Sequence, residues 1–446
     1  MERLLHPDRA LAFSKGRLLA LLVIGAAVLC SCQVRGARTS VFLRALAPGS
    51  GLICYLAPEG NIELIDPRSG HQRALTDDAG RNAEGAVVYA APTWSPDSSL
   101  IAFARISVDG DSTLTDASLY TVAIDGKRLS HLLSGTRLQP FYFFWSPDSR
   151  RVSLLSQVRG ENALELGIAT AGADGDYRSL DGGSPFYWDW LGDGRTVVAH
   201  VNGGRNAKGD ERLSVLKVDS ASVRSDVNVE GGFFQAPNIS PDGKSFVYAS
   251  SSLSGFTLHL RALDGSADRD IAHGEGGTFF SLSPDGKRLA YLAAAAMQPF
   301  PLGKLTIVDL AGDAKARTVG DAPVLAFFWA PNGRSLAYVV PETTGNIDPQ
   351  FLHADGAPYL RLVGCDAATG RTWTIARFPP TRGMFSVIPS FDQFQRSATI
   401  WSPDSHFILF TALTNDGSPG LFVARADRTV TPRFLTAGDY AFWSWK

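Results

Sequence analysis

Trp94-Ser95-Pro96-Asp97 recurs as Trp145-Ser146-Pro147-Asp148 and again as Trp401-Ser402-Pro403-Asp404. Relaxed copies fill the gap: Leu191-Gly192-Asp193-Gly194 after Trp190, Ser240-Pro241-Asp242-Gly243 after Ile239, Ser283-Pro284-Asp285-Gly286 after Leu282, and Ala330-Pro331-Asn332-Gly333 after Trp329. An eighth, Trp443-Ser444, stands near the end of the sequence given. The steps between copies are 51, 45, 49, 43, 47, 72 and 42 residues. Self-similarity at about 40–50 residues, with several short strands per unit, is the signature of propeller blades.

Each unit reads alike. An apolar strand ends at the Trp position, as in Phe141-Tyr142-Phe143-Phe144-Trp145. Ser-Pro-Asp-Gly then makes a turn, with Pro pre-setting φ at its second position and Gly accepting positive φ at its fourth. Alternating strands follow, such as Leu258 to Asp264 and Leu421 to Asp427. The inner strand is apolar on both faces, which suits a strand covered by sheets on either side. Gly51 to Thr76 reads as second, third and fourth strands without a first, and Tyr440 to Trp445 as a first strand with nothing after it. Joining them into one blade leaves no open sheet edge. The expected fold is therefore all-β: an eight-bladed β-propeller closed by a blade shared between the two termini, with seven blades as the alternative.

The Trp-Ser-Pro-Asp copies resemble the WD40-like PD40 repeats of the TolB-type propeller superfamily, over residues 51–446. The resemblance implies the fold more than a function. TolB itself pairs an α/β domain with six blades, and this chain has no room for that domain before residue 51. The same repeats form the propeller of prolyl-oligopeptidase-type enzymes. Their Gly-x-Ser-x-Gly nucleophile turn does not occur in this sequence.

Before the repeats, residues 1–17 carry Arg3, Arg9, Lys15 and Arg17, and Leu18 to Leu29 is an apolar run of 12. That length suits a signal-peptide core and is short for a membrane span. Leu29-Cys30-Ser31-Cys32 then resembles a bacterial lipoprotein signal with Cys32 as the lipidated residue. The expected organisation is a signal peptide over 1–32, a tether over 33–50 and the propeller over 51–446. The localisation this implies is exported and membrane-anchored, on the periplasmic or extracellular side. Cys54 and Cys365, the cysteines beyond the signal, fall in non-neighbouring blades and read as buried strand residues.

The 446 residues carry a formal net charge of −2 with 19% charged residues, which removes the electrostatic argument for nucleic acid. None of the eight histidines forms an H-x-H or H-E-x-x-H pattern. Asp97, Asp148, Asp193, Asp242, Asp285 and Asp404 recur at one turn position, and a residue needed once per blade is a structural residue. No catalytic residue, metal ligand or cofactor is therefore expected.

Departures from the repeat carry more. The 72-residue step between Trp329 and Trp401 holds two insertions, Pro341 to Pro358 and Phe378 to Ser397. Both are expected to leave the same end of the sixth blade, opposite the Ser-Pro-Asp-Gly turns. Long loops in a compact fold are commonly functional. Phe351, His353, Tyr359, Arg382, Phe385, Phe391 and Phe394 are the expected binding residues of this face, with a lid that plugs the channel as the competing reading. Neither insertion supplies a repeat strand, so the ring is expected to fold without them. The functional expectation is a monomeric binding or scaffolding module for a protein, peptide or glycan partner, with no catalysis of its own. A glycan-active hydrolase or lyase at the channel mouth and the propeller half of a split peptidase are the alternatives.

Overall fold

Eight sheets form the ring, as the repeat count predicts. The computed structural model describes residues 51–82, 84–201, 211–219, 224–227, 229, 235–251, 255–294, 301–312, 315–342 and 359–446. The expected signal peptide, Cys32 and the tether lie outside them. Blades are numbered from the first complete repeat. Blade 1 has five strands, beginning with Gly80–Asn82 and Gly85–Trp94. The first strands of blades 2 to 6 are Leu138–Trp145, Phe186–Trp190, Asn238–Ile239, Gly277–Leu282 and Ala326–Trp329. Blade 7 has three full strands, Phe407–Leu413, Pro419–Arg425 and Arg433–Ala437; Trp401 bridges to Ile408 at its inner position, and Thr399 bridges to Trp443 of blade 8.

Blade 8 closes the ring. Its outer three strands, Ile53–Leu56, Ile62–Ile65 and Gln72–Ala74, come from the start of the propeller, and Asp439–Trp443 completes it from the other end. Ile53 pairs with Trp443 and Cys54 with Phe442. Cys54 and Cys365 are free, buried thiols in blades 8 and 6, and burial raises the pKa of both.

The repeat turn explains its own sequence. Its Ser hydroxyl donates to the Asp carboxylate two residues on, at 2.7 Å for Ser95 and 2.6 Å for Ser146, Ser240 and Ser283. The same Ser oxygen accepts the backbone N–H five residues on, from Leu100, Arg151, Ser245, Arg288 and Phe407. The Asp accepts the N–H that opens the second strand, at Ser99, Arg150, Lys244, Lys287 and His406. The fourth position has positive φ, between 61° and 68°, whether Gly or Ser occupies it. Where Ser stands, its hydroxyl reaches the adjacent turn. Ser149 accepts from Asp97 N, Ser405 from Asn332 N, and Ser98 from the N–H groups of Trp445 and Lys446.

The Trp position joins neighbouring blades. Five indole N–H groups donate to the carbonyl one residue before the repeat position of the preceding blade: Trp94 to Phe442, Trp145 to Thr93, Trp190 to Phe144, Trp329 to Ser281 and Trp401 to Phe328, all within 3.0–3.2 Å, whereas Trp443 Nε1 has no hydrogen-bond partner among the described residues. Blades 4 and 5 carry Ile239 and Leu282 instead and have no indole to give. There the backbone supplies the donor and the preceding blade a polar side chain. Ile239 N–H donates to Asp189 Oδ2 at 2.8 Å, and Leu282 N–H to Asn238 Oδ1 at 3.0 Å. Asp189 and Asn238 occupy the position whose carbonyl accepts the indole elsewhere in the ring, so one repeat site is served by two chemistries.

Candidate functional site

Register fixes where the insertions leave blade 6. Pro341 pairs with Leu360, and Leu360 with Phe378. All three stand at the end opposite the Ala330–Gly333 turn, as expected. Glu342 N–H donates to the Tyr359 carbonyl at 2.8 Å, and the Glu342 carboxylate takes Arg377 Nε at 2.8 Å and Arg361 Nε at 3.4 Å. Tyr359 is half-buried at this edge. Phe351 and His353 lie outside the described residues.

The second insertion turns inward. Pro380 bridges to Ala412 of blade 7, and Thr381 caps a short helix α1, Arg382–Val387, by accepting Met384 N–H at 3.2 Å. Thr381 also hydrogen-bonds Thr411 of blade 7 and Asp439 of blade 8. Gly383 N–H donates to Asp439 Oδ2 at 3.0 Å, and a Cβ on Gly383 would sit 2.4 Å from Asp439 Oδ1, so only glycine fits this approach. A 3₁₀ turn, Ile388–Ser390, leads into α2, Phe391–Ser397. Helices of six and seven residues do not hold alone in water; the blades supply the missing stabilisation.

α2 lies among the inner strands. Phe391 is fully buried, with ring centroids 4.9 Å from Phe327, 6.0 Å from Phe279 and 6.2 Å from Phe328. Tyr142 OH of blade 2 donates to the Gln393 carbonyl at 3.0 Å, and Gln393 Nε2 donates to the Trp188 carbonyl of blade 3 at 3.1 Å. Phe394 stands edge-on to Tyr142 at 5.3 Å. Tyr187 OH donates to Ser390 Oγ at 3.2 Å. Arg396 Nη2 meets Asp189 Oδ2 at 2.5 Å, and Asp392 accepts from Ala236 N–H at the entrance to blade 4. The insertion thus touches blades 2 to 8 and occupies the centre of the ring.

The seven residues expected on one loop face are therefore divided. Phe391 is sealed in the core, not held at a loop tip, and Phe394 packs half-buried against Tyr142. Arg382 is exposed and Phe385 half-buried on α1. The expectation that both insertions are dispensable for folding meets a contrary arrangement, because the second one is core.

The centre also holds charges that sequence reading passed over. Asp189 is 1% exposed. Burial raises its pKa, against the opposing pull of Arg396 and the N–H groups of Ile239 and Trp190. Burial pushes Asp392 up to about 7, opposed by the N–H groups of Gln393 and Ala236, and its Oδ1 has no hydrogen-bond partner among the described residues. A sequence signal for Asp189 existed. The residues before the other repeat positions are Thr93, Phe144, Asn238, Ser281, Phe328, Ile400 and Phe442, so Asp189 is the charged one of the set. Asp392 and Arg396 carried no such mark. Among the described residues, no three His, Cys, Asp or Glu side chains gather as metal ligands.

No protein-family model and no curated protein matches the chain. Solved structures do. Dihydro-heme d1 dehydrogenase NirN aligns at 14% identity over 90% of this chain and 77% of that one, with a TM-score of 0.53. The chain is an eight-bladed β-propeller. TolB from Acinetobacter baumannii aligns at 12% identity, covering 86% of this chain and 78% of its own, with a TM-score of 0.39. An oligogalacturonate lyase in complex with manganese aligns at 15% identity over 84% and 96%, with a TM-score of 0.49. Identities this low speak for fold alone, and one fold hosts many functions.

Proposed function

We propose that the chain is an exported, membrane-anchored propeller that binds or scaffolds a protein, peptide or glycan partner through its loop-bearing face, without catalysis of its own. The observation that carries this reading is the filled centre. With α2 packed from blade 2 to blade 6, the ring is a solid disc, and its ends are the surfaces it offers. A rigid scaffold displaying variable loops is the common arrangement for recognition. The loop-bearing end presents Arg382 on α1 with Phe385 half-buried on the same helix, and Tyr359 half-buried at the edge of blade 6, residue types that recur at binding hot spots. The anchor rests on the apolar run Leu18 to Leu29 followed by Cys32, since two or more acyl chains give stable attachment.

Crosslinking in the native membrane fraction tests both parts. Replacing residues 345–357 by a tight turn and Arg382 by Glu should abolish partner capture with thermal stability retained. Cys32→Ala should release the protein from membranes or leave an unprocessed precursor. Unchanged partners in the loop variant place recognition elsewhere. An unmodified N-terminus beyond residue 32 rules out the anchor.

A further inference from the structure

Blade 4 carries a set of polar side chains that the recognition reading leaves unused. Its second, third and fourth strands are Ser245–Ser251, Gly255–Ala262 and Asp268–Glu275. Register pairs Tyr248 with His259 and His259 with Asp270, and Ser250 stands two residues beyond Tyr248, so all four share one face of the sheet. Ser250 Oγ lies 2.6 Å from His259 Nε2, and His259 Nδ1 lies 2.9 Å from Asp270 Oδ1. A carboxylate only accepts, so Nδ1 carries the imidazole proton and Nε2 is left as the acceptor for the Ser250 hydroxyl. The Tyr248 ring stacks on the imidazole with centroids 4.6 Å apart and holds its plane. Hydroxyl, base and orienting carboxylate in that order are the arrangement that makes a serine nucleophilic. The same residue types do not give that order in blade 1. There Tyr120 stacks on His131 at 4.6 Å, but Ser118 Oγ donates to the Asp116 carboxylate and stands 3.2 Å from His131 Nε2. Ser118 is also buried, whereas Ser250 is half-buried and the side chains of His259 and Asp270 are 16% and 56% exposed.

We propose that Ser250 is an acyl-accepting nucleophile, with His259 as its base, that takes up the acyl group of carboxylic esters with a short apolar chain. The chain preference comes from the neighbouring blade. Val215 and Val227 of blade 3, with Val229 just beyond them, are half-buried and pack in one apolar cluster with Tyr248. An ester carbonyl at Ser250 therefore has an apolar wall beside it for its acyl chain. In the step itself, Ser250 Oγ bonds to the acyl carbon as the bond from that carbon to the alcohol oxygen breaks. The hydroxyl proton passes to His259 Nε2 and from there to the leaving alcohol oxygen. The products are O-acyl Ser250 and the free alcohol, with no change of oxidation state. One acyl group per chain is a covalent attachment and not turnover, and it engages none of the residues assigned to the loop-bearing face, so the two readings stand or fall independently.

Full-length protein in detergent, treated with p-nitrophenyl butyrate, reports the step through nitrophenolate release, intact mass and peptide mapping. One butyryl group per chain is expected, on Ser250, and Ser250→Ala should lose it. His259→Gln should slow acylation about 100-fold, the lower end of what a positioned base contributes. Ser250→Ala carries the test if His259→Gln fails to fold. Asp270→Asn should slow acylation at least about tenfold by upsetting the imidazole tautomer, and Asp270→Glu should restore most of the rate, which a merely structural role would not predict. Ser118→Ala should react as the parent does. The butyrate should react about tenfold faster than p-nitrophenyl acetate, because two more methylenes meet the apolar wall. Nitrophenolate beyond one equivalent per chain supports the nucleophile and overturns the non-catalytic reading; a single equivalent supports both. Butyryl groups on lysines alone, equal labelling of Ser250→Ala, or a His259→Gln chain that reacts at the parent's rate overturns the proposal. Equal rates for butyrate and acetate overturn its apolar preference.

Discussion

Replacing Phe391 by alanine should cost the whole ring, not a loop. The side chain is fully buried between Phe279, Phe327 and Phe328, which belong to the inner strands of blades 5 and 6. Truncating such a buried aromatic typically costs about 3–5 kcal/mol, part of it transfer free energy and part the cavity left behind. The unfolding entropy is about 2.1 cal/mol/K per residue, so roughly 400 residues give about 0.8 kcal/mol/K. The expected drop in melting temperature is then about 4–6 °C. Arg382→Ala, exposed on the same insertion, should move it by under about 1 °C, as surface substitutions do. Differential scanning calorimetry of the two variants beside the parent gives the comparison. If Phe391→Ala melts with the parent, the insertion is not part of the core and the reading of the channel as filled is wrong.

Two further outcomes follow from the same geometry. Asp392, pushed up to about 7 by burial, keeps its proton in the folded chain at pH values where the unfolded chain has lost it. Its contribution to stability is full below about pH 4 and is lost as pH rises through about 7. Asp189 acts in the same sense, so Asp392→Asn should reduce, not abolish, the fall in melting temperature between pH 5 and 8; a variant with the parent's pH profile refutes this. Trp145→Phe removes the indole donor to the Thr93 carbonyl and should cost about 1–3 kcal/mol in chemical denaturation, with an unchanged denaturant slope. No loss of stability would mean that the inter-blade indole bond contributes nothing.

The repeat was legible because one local device recurs. Trp-Ser-Pro-Asp states a turn, a strand start and a blade junction within four residues, and each was read from chemistry that depends on near neighbours. Blade count, closure through Asp439–Trp443 and the shared exit of both insertions from blade 6 followed from strand order alone. The turn aspartates were read as structural, and their bonds to Ser hydroxyls and strand-opening N–H groups supply the reason. The turn serines reach beyond their own turn: Ser98 accepts the N–H groups of Trp445 and Lys446.

What the sequence by itself determined is thus the ring, because a β-propeller is specified by a short pattern repeated once per blade. What only the tertiary structure decided is the content of the ring. The Phe378 to Ser397 stretch carries no repeat signal, and its helices are too short to announce themselves by periodicity. Whether its phenylalanines face solvent or the axis depends on inner strands more than 200 residues away, such as those of Tyr142 and Trp188. Asp189 and Arg396 likewise become a pair only because ring closure brings blade 3 and the insertion to one axis. Contacts made across that distance leave no local pattern, so the side chains at the centre could be named from the sequence but not placed.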